Sequence, residues 1–197
     1  MARERPRPWQ FLDEFRGSAF TGKWPTLPEL FAITAKRYPD RPAFTVYEPE
    51  RVSLTYTEAL ERIEQVAVYL VENGIAHGDR VAVSGKNSPE WAVAYLGVLH
   101  AGAVVVPIDY QLSETDIDRL LAASDAKLLF VDEEKYDFFA ADKGSHRVRV
   151  QSLSPRKDGY IYDLAGKSAG SDASAGAAPL TDRASYEPAR EDELAAI

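Results

Sequence analysis

The 197-residue sequence contains no cysteine, which excludes a disulfide framework, a cysteine-ligated zinc cluster and a thiol nucleophile. That fits a reducing compartment, and a cytoplasmic location is expected. The three histidines, His77, His100 and His146, are scattered without ligand spacing, so no metal site is expected. Cations are in deficit: 23 Lys and Arg stand against 31 Asp and Glu, a net charge of −8. Nucleic acid is therefore not an expected partner, since a phosphate backbone is held by an excess of Lys and Arg on one face. No apolar run approaches the roughly 18–20 residues of a membrane span. The opening MARERPRPWQF has arginines but no apolar core behind them, unlike a secretory signal. No GxSxG, HExxH or GxGxxG motif occurs, so neither a hydrolase nor a dehydrogenase can be built on a motif.

What is present is an ordinary globular composition, 45% hydrophobic and 27% charged. Its clearest stretch, residues 78–132, reads strand, helix, strand, helix, strand. RVAVS (80–84), AVVV (103–106) and KLLFV (127–131) are short, valine- and leucine-rich runs bounded by turn residues, as buried parallel strands are. Between the first two, Ser88 is placed to cap a helix, Pro89 suits its first position and Glu90 faces the positive end of its dipole. Trp91, Tyr95, Val98 and Leu99 form one apolar face. Ala92, Val93 and Leu96 make the other nearly as apolar, so burial on most sides is expected. Gly102 ends that helix, with a left-handed backbone expected there. The next helix starts at Ser113, with Asp116 in the capping-box position. Ile117, Leu120 and Leu121 are its expected stripe, and Ser124-Asp125 its end. The fold class is therefore α/β: a parallel sheet of successive βαβ units with helices packed on it.

Around that stretch the pattern is weaker. Residues 1–26 form an arm in which Trp9, Phe11, Leu12 and Phe15 suggest either a membrane-surface anchor or a segment packed on the domain. Asp13 and Glu14 interrupt any basic face and favour the packed arm, leaving peripheral membrane contact unsupported. Residues 27–38 read as an amphipathic helix with apolar positions at 27, 30, 31 and 34/35, stopped by PDRP. Residues 43–47 and 52–56 read as a β-hairpin. Thr57 is then the expected cap of a helix burying Leu60, Ile63, Ala67 and Leu70, closed at Asn73-Gly74. Residues 135–140 suggest a helical turn, RVRVQ (147–151) an exposed strand and YIYDL (160–164) a further short strand. Residues 27–164 thus form one α/β unit. Residues 165–190 begin with a Gly/Ala/Ser-rich stretch expected to be mobile, and 191–197 (EDELAAI) turn apolar again.

One loop invites a chemical reading. Ser84-Gly85-Lys86-Asn87-Ser88 leaves a strand and enters a helix N-terminus, where phosphate groups bind. A P-loop would have Gly at 80 and Ser or Thr at 87, where Arg80 and Asn87 stand. A βα turn capped by Asn87 and Ser88 is the favoured reading.

Four segments together resemble one family, the adenylate-forming enzymes, which include acyl-CoA synthetases, peptide-synthetase adenylation domains and luciferases. LTYTEAL (54–60), GDRVAV (78–83), Asn87-Ser88-Pro89-Glu90-Trp91 and LHAGAVVVPID (99–109) look like successive signatures of that family, in order, within residues 27–132. NSPEW, and GAVVVPI in place of AGAAYVPLD, lean toward fatty acyl-CoA synthetases. The resemblance implies the amino-terminal subdomain of the adenylate-forming fold. It implies a parent enzyme that activates a carboxylic acid with ATP and Mg²⁺ and transfers it to coenzyme A. The family's phosphate-gripping loop, TSGTTGxPKG-like, normally follows a stretch like 191–197, and the metal-binding acid and catalytic lysine come later. The chain is therefore expected to be the amino-terminal piece of a longer enzyme, inactive alone and binding none of these cofactors. Its partners would be a small carboxylic acid in the parent and the remainder of the same polypeptide. Some relatives bind the nucleotide end of coenzyme A after the third strand, but only Lys135 lies near there. No catalytic, cofactor-binding or metal-binding residue is carried over. A peptide-synthetase-type amino-acid adenylation domain and a non-catalytic binding module stay open as alternatives.

Overall fold

Three runs rich in valine and leucine and the mixed run Arg149–Ser152, separated by helices, assemble into one parallel sheet. The computed structural model describes residues 7–48, 50–141, 144, 147–164, 190, 193 and 195–196. His146, the Gly/Ala/Ser-rich stretch after 164 and most of residues 191–197 lie outside the described residues, as does Pro49. In chain order the elements are α1 (Leu27–Arg37), β1 (Pro42–Val46), β2 (Val52–Thr55), α2 (Tyr56–Glu72), β3 (Arg80–Ser84), α3 (Pro89–His100), β4 (Val104–Ile108), α4 (Glu114–Ser124), β5 (Leu128–Val131), α5 (Glu133–Ala140) and β6 (Arg149–Ser152). β1 and β2 pair antiparallel as the expected hairpin. The main sheet has the order β4-β3-β5-β6 and every pairing in it is parallel. Beyond β4, Ala195 accepts the Val105 N–H at 3.0 Å and Ala196 bridges Val105.

Period-two alternation divides the strand residues between two cores. Val81, Val83, Val105, Leu128 and Phe130 face α2 and α3. Ala82, Val106, Ile108, Leu129 and Val131 face Ile117 and Leu121 of α4 and Phe139 of α5. The chain moves from β3 outward to β4, then back past β3 to β5 and on to β6. Right-handed crossovers in opposite directions put their helices on opposite faces, and α3 does lie across the sheet from α4 and α5. With both faces covered, nearly all of the central strands is buried.

Several local expectations need correction. The cap of α2 is Thr55, not Thr57: Thr55 Oγ1 accepts the Glu58 N–H, and the Glu58 carboxylate accepts the Thr55 N–H at 2.8 Å. Glu58 is the residue that reciprocates, and it stands three positions after Thr55. On α3, Trp91 and Tyr95 stack on each other half-buried. Of the residues expected to be buried, Val93, Val98 and Leu99 are, and Ala94 and Gly97 complete the buried face. A Cβ at Gly97 would lie 2.6 Å from Val66 Cγ1, so glycine is what lets α3 approach α2. Leu120, expected in the α4 stripe, is 42% exposed. Leu27 is also exposed, while Ile33, outside the expected stripe, is buried. α1 is flanked on two sides, by Leu12 and Phe20 of the arm and by Phe44 and Tyr56 through Phe31. The strand expected at 147–151 forms at Arg149–Ser152, parallel to β5; Arg149 is exposed as expected, but Val150 and Gln151 are half-buried and Ser152 is buried. At 160–164 only Tyr160 bridges a strand residue, Ser152, and Ile161–Asp163 is a 3₁₀ turn, not a strand.

The capping expectations at the other helices hold. Ser88 Oγ accepts the Trp91 N–H at 3.1 Å. Ser113 Oγ accepts the Asp116 N–H and donates to the Asp116 carboxylate at 2.7 Å. Gly102 has φ of 73°, and Asp125 ends α4 at φ of 54°. The arm residues 10–14 form a short 3₁₀ helix, with Leu12 and Phe20 buried against Ile33 and Arg37 stacked 4.1 Å over the Phe11 ring.

Candidate functional site

In open parallel sheets, ligands bind outside the carboxyl ends of the strands, where neighbouring strands send their helices to opposite faces. Here that point lies between β3, which leads to α3, and β5, which leads to α5. The loop at residues 84–88 and the turn Asp132–Glu133 meet there, and the β6 turn at residues 153–157 closes the third side.

The crevice is filled from within. Asp132 is the N-cap residue of α5 but makes no side-chain cap bond. Its carboxylate reaches across instead, and Oδ2 accepts the Lys86 N–H at 2.6 Å. A carboxylate thus occupies the place where the loop would offer an amide to a phosphate. Half-burial pushes the Asp132 carboxyl above the ordinary range, opposed in part by the Lys86 N–H and the Lys86 ammonium. Gly85 has no room to spare: a Cβ there would lie 2.6 Å from Leu153 Cδ1 and 2.8 Å from Asp132 Oδ1.

The charges around it are paired in turn. Lys86 Nζ donates to Glu134 at 2.6 Å, which raises the ammonium's pKa. Glu133 accepts from Ser154 Oγ at 2.8 Å and from Arg156 at 3.0 Å, and the Ser154 hydroxyl is the main cause of its lowered pKa. Lys157 Nζ donates to Asp137 at 2.7 Å. Glu90, in the first turn of α3, accepts the Tyr160 hydroxyl at 2.9 Å. Burial, with Glu90 adding to it, raises the Tyr160 pKa. Ser84, at the end of β3, is buried, and its Oγ has no hydrogen-bond partner among the described residues.

Of the residues weighed from sequence, the structure gathers few. Lys135 lies on α5 as expected. The cations Arg156 and Lys157 also reach that helix, from a turn that the sequence pattern did not connect to it, and each is taken by one of its acids. His100, at the end of α3, is largely buried, which depresses its pKa to about 4. His77 pairs with Glu193 at 3.2 Å. Among the described residues no group of three or more His, Cys, Asp or Glu is arranged to hold a metal. At this edge the Lys86 amide is taken by Asp132, and Lys86, Arg156 and Lys157 are each paired with an acid.

Residues 31–197 match the family model described as AMP-binding enzyme. Surfactin synthase subunit 1 of Bacillus subtilis is 44% identical over 125 residues, covering 62% of this chain and 3% of that protein. The long-chain-fatty-acid–CoA ligase heimdall of Drosophila melanogaster is 32% identical over 127 residues, covering 62% of this chain and 19% of that protein. Among solved structures, the Klebsiella oxytoca NpsA N-terminal subdomain in complex with 3-hydroxybenzoyl-AMSN superimposes with a TM-score of 0.59 at 25% identity, over 78% of this chain and 35% of that one. The chain thus spans a small part of the length of the curated relatives it matches.

Proposed function

We propose, from the premise that this chain belongs to the AMP-binding family of adenylate-forming enzymes, that it is part of an acid–thiol ligase. That enzyme would activate a fatty acid as its acyl-adenylate and pass the acyl group to coenzyme A. The family supplies the coarse statement, an acid-activating ligase using ATP and Mg²⁺. The finer one is carried by one sequence observation: NSPEW (87–91), and GAVVVPI (102–108) in place of the amino-acid branch's AGAAYVPLD, lean toward the fatty-acid branch. The similarity to the Drosophila fatty-acid ligase supports it.

The role of the described residues is scaffolding. β3, β4 and β5 with their covering helices form a rigid core, and the pairing of Ala195 and Ala196 with Val105 places those two residues at the β4 edge. A site set on rigid elements is held more precisely than one on free loops. No step of the reaction runs through residues 84–88, because Asp132 already occupies that turn.

A second reading has its own support. Two surfactin synthase subunits share 44% and 43% identity with this chain over 125 residues, above the fatty-acid ligase, which favours an amino-acid adenylation domain. The two differ in physical demand. A fatty acid is recognised by burying its chain, at roughly 0.8 kcal/mol per methylene, so affinity rises with length until the pocket fills. An amino acid needs a partner for its ammonium group, since a buried unpaired charge is costly. ATP–pyrophosphate exchange by the complete polypeptide, across fatty acids of increasing length and across amino acids, separates them. Exchange that grows with chain length, with thioester formed when coenzyme A is present, is expected. Exchange with amino acids alone would establish the second reading.

A further inference from the structure

The amino-terminal edge of the sheet, opposite the crevice described above, carries a cavity of about 740 Å³. It is bounded by the start of α1, the turns leading into β3 and β4, and Arg190, Glu193 and Ala195. Two glycines shape its floor. Gly78 (φ 76°) and Gly102 (φ 73°) turn the chain into the strands, and the Gly78 N–H donates to the Gly102 carbonyl at 2.9 Å. A Cβ at Gly78 would meet nothing within 4 Å, so this part of the wall opens on free space. These glycines belong to the GDRV and HAGAV segments, which the ligase reading uses only as scaffold.

The walls are apolar and the charges around them are uneven. Trp24, Leu27, Leu99 and Val104 line the cavity. Trp24, which meets the Trp9 ring edge-on, and Leu27 are 46% and 50% exposed, and both put apolar surface on the cavity wall that a ligand would cover. The acid on the wall, Glu193, is engaged by Arg190 and His77. Lys23 and Arg80 also line it, and among the described residues neither makes an ion pair. The first turn of α1 supplies no anion site, because Thr26 and Glu29 satisfy one another in a capping box. A negative head group would therefore be held by side chains. A polyphosphate would forfeit much of its hydration against the apolar walls, whereas a single carboxylate on an apolar body matches both halves of the lining.

We propose that this cavity binds a small amphipathic carboxylate, its anionic head on Lys23 and Arg80 and its apolar body on Trp24, Leu27 and Leu99. The inference does not rest on the ligase reading: the cavity lies at the opposite edge of the sheet from the crevice. The test is calorimetry of the 197-residue chain at low ionic strength with octanoate, octan-1-ol and acetate. Octanoate should bind with one-to-one stoichiometry, about tenfold or more tighter than either neutral octanol or acetate, which lacks the apolar body. The exposed-residue double variant Lys23→Gln, Arg80→Gln should lose about tenfold for octanoate and nothing for octanol. Amide NMR shifts from octanoate should centre on Gly78 and Gly102. Octanoate binding no tighter than octanol, unchanged binding by the double variant, shifts centred on residues 84–88, or no binding heat would each overturn the proposal.

Discussion

The two edges of one parallel sheet differ in how their polar groups are used. At the carboxyl edge, Asp132, Glu133, Glu134 and Glu90 are each bound by a group from a neighbouring turn or helix. At the amino edge, Lys23 and Arg80 border an open cavity without an ion-pair partner among the described residues. The contrast teaches that topology alone does not locate a working site. The rule that places ligands beyond the carboxyl ends of strands identifies a crevice here that the chain seals with its own carboxylate. The edges stand on a shared core, so variants can break one, the other or both.

The largest effect is expected where both edges rest on one contact. Gly97→Leu would force α3 away from Val66 on α2, and overpacking of this kind costs typically about 1–3 kcal/mol, occasionally more. Thermal unfolding should show a clear fall in Tm, with hydrogen-exchange protection reduced at both edges. An unchanged Tm would mean that the helices are free to part. Gly102→Val should act on the amino edge alone. A β-branched residue held at φ of 73° costs roughly 1–3 kcal/mol, and protection should fall first at Gly78 and Val104. Equal loss at Lys86 would show that the edges are not separable.

Asp132→Asn addresses the carboxyl edge and gives a pH-dependent result. Burial raises the Asp132 pKa in the folded state, so the native protein holds that proton more tightly than the unfolded chain. Stability from this group is present at low pH and declines as pH rises from the ordinary carboxylate range through the raised native value. Asparagine still accepts the Lys86 N–H but does not ionise. Urea unfolding from about pH 4 to 7 should therefore show the variant gaining on the wild type as pH rises. A difference independent of pH would remove the assigned cause. The smallest effect is expected for Lys86→Met. The Lys86–Glu134 pair is solvent-exposed, with side chains 56% and 58% accessible, and such pairs add little to stability. Melting should be unchanged, and a large fall would mean that the ion pair, not Asp132, holds the loop.

Legibility in the sequence followed the range of the forces involved. The βαβ order, the Ser88 and Ser113 caps and the Gly102 turn were readable because each depends on residues within about four positions. Thr55 was equally local, and the signal was there: Glu58 stands three residues after Thr55, while Thr57 is followed at that distance by Leu60. The buried face of α3 was legible at Val93, Val98 and Leu99 and misread at Trp91 and Tyr95, because hydrophobicity favours the large rings whereas close approach to α2 selects Ala94 and Gly97. The 160–164 run has strand composition but only one bridging residue. Sealing of the carboxyl edge was out of reach. Lys86 meets Asp132 and Glu134 across 46 and 48 residues of sequence, and only the placement of β3 beside β5 brings them together. The resemblance to adenylate-forming enzymes lay in motifs that are mainly turns and strands, so it identified the family without locating a site.

The most direct test of the account is a titration of the 197-residue chain with ATP and Mg²⁺, followed by calorimetry and by the Lys86 amide resonance. With Asp132 occupying that amide, no saturable heat and no shift at residues 84–88 are expected. Micromolar binding with a shifted Lys86 amide would show that the nucleotide displaces Asp132 and that the carboxyl edge is an open site.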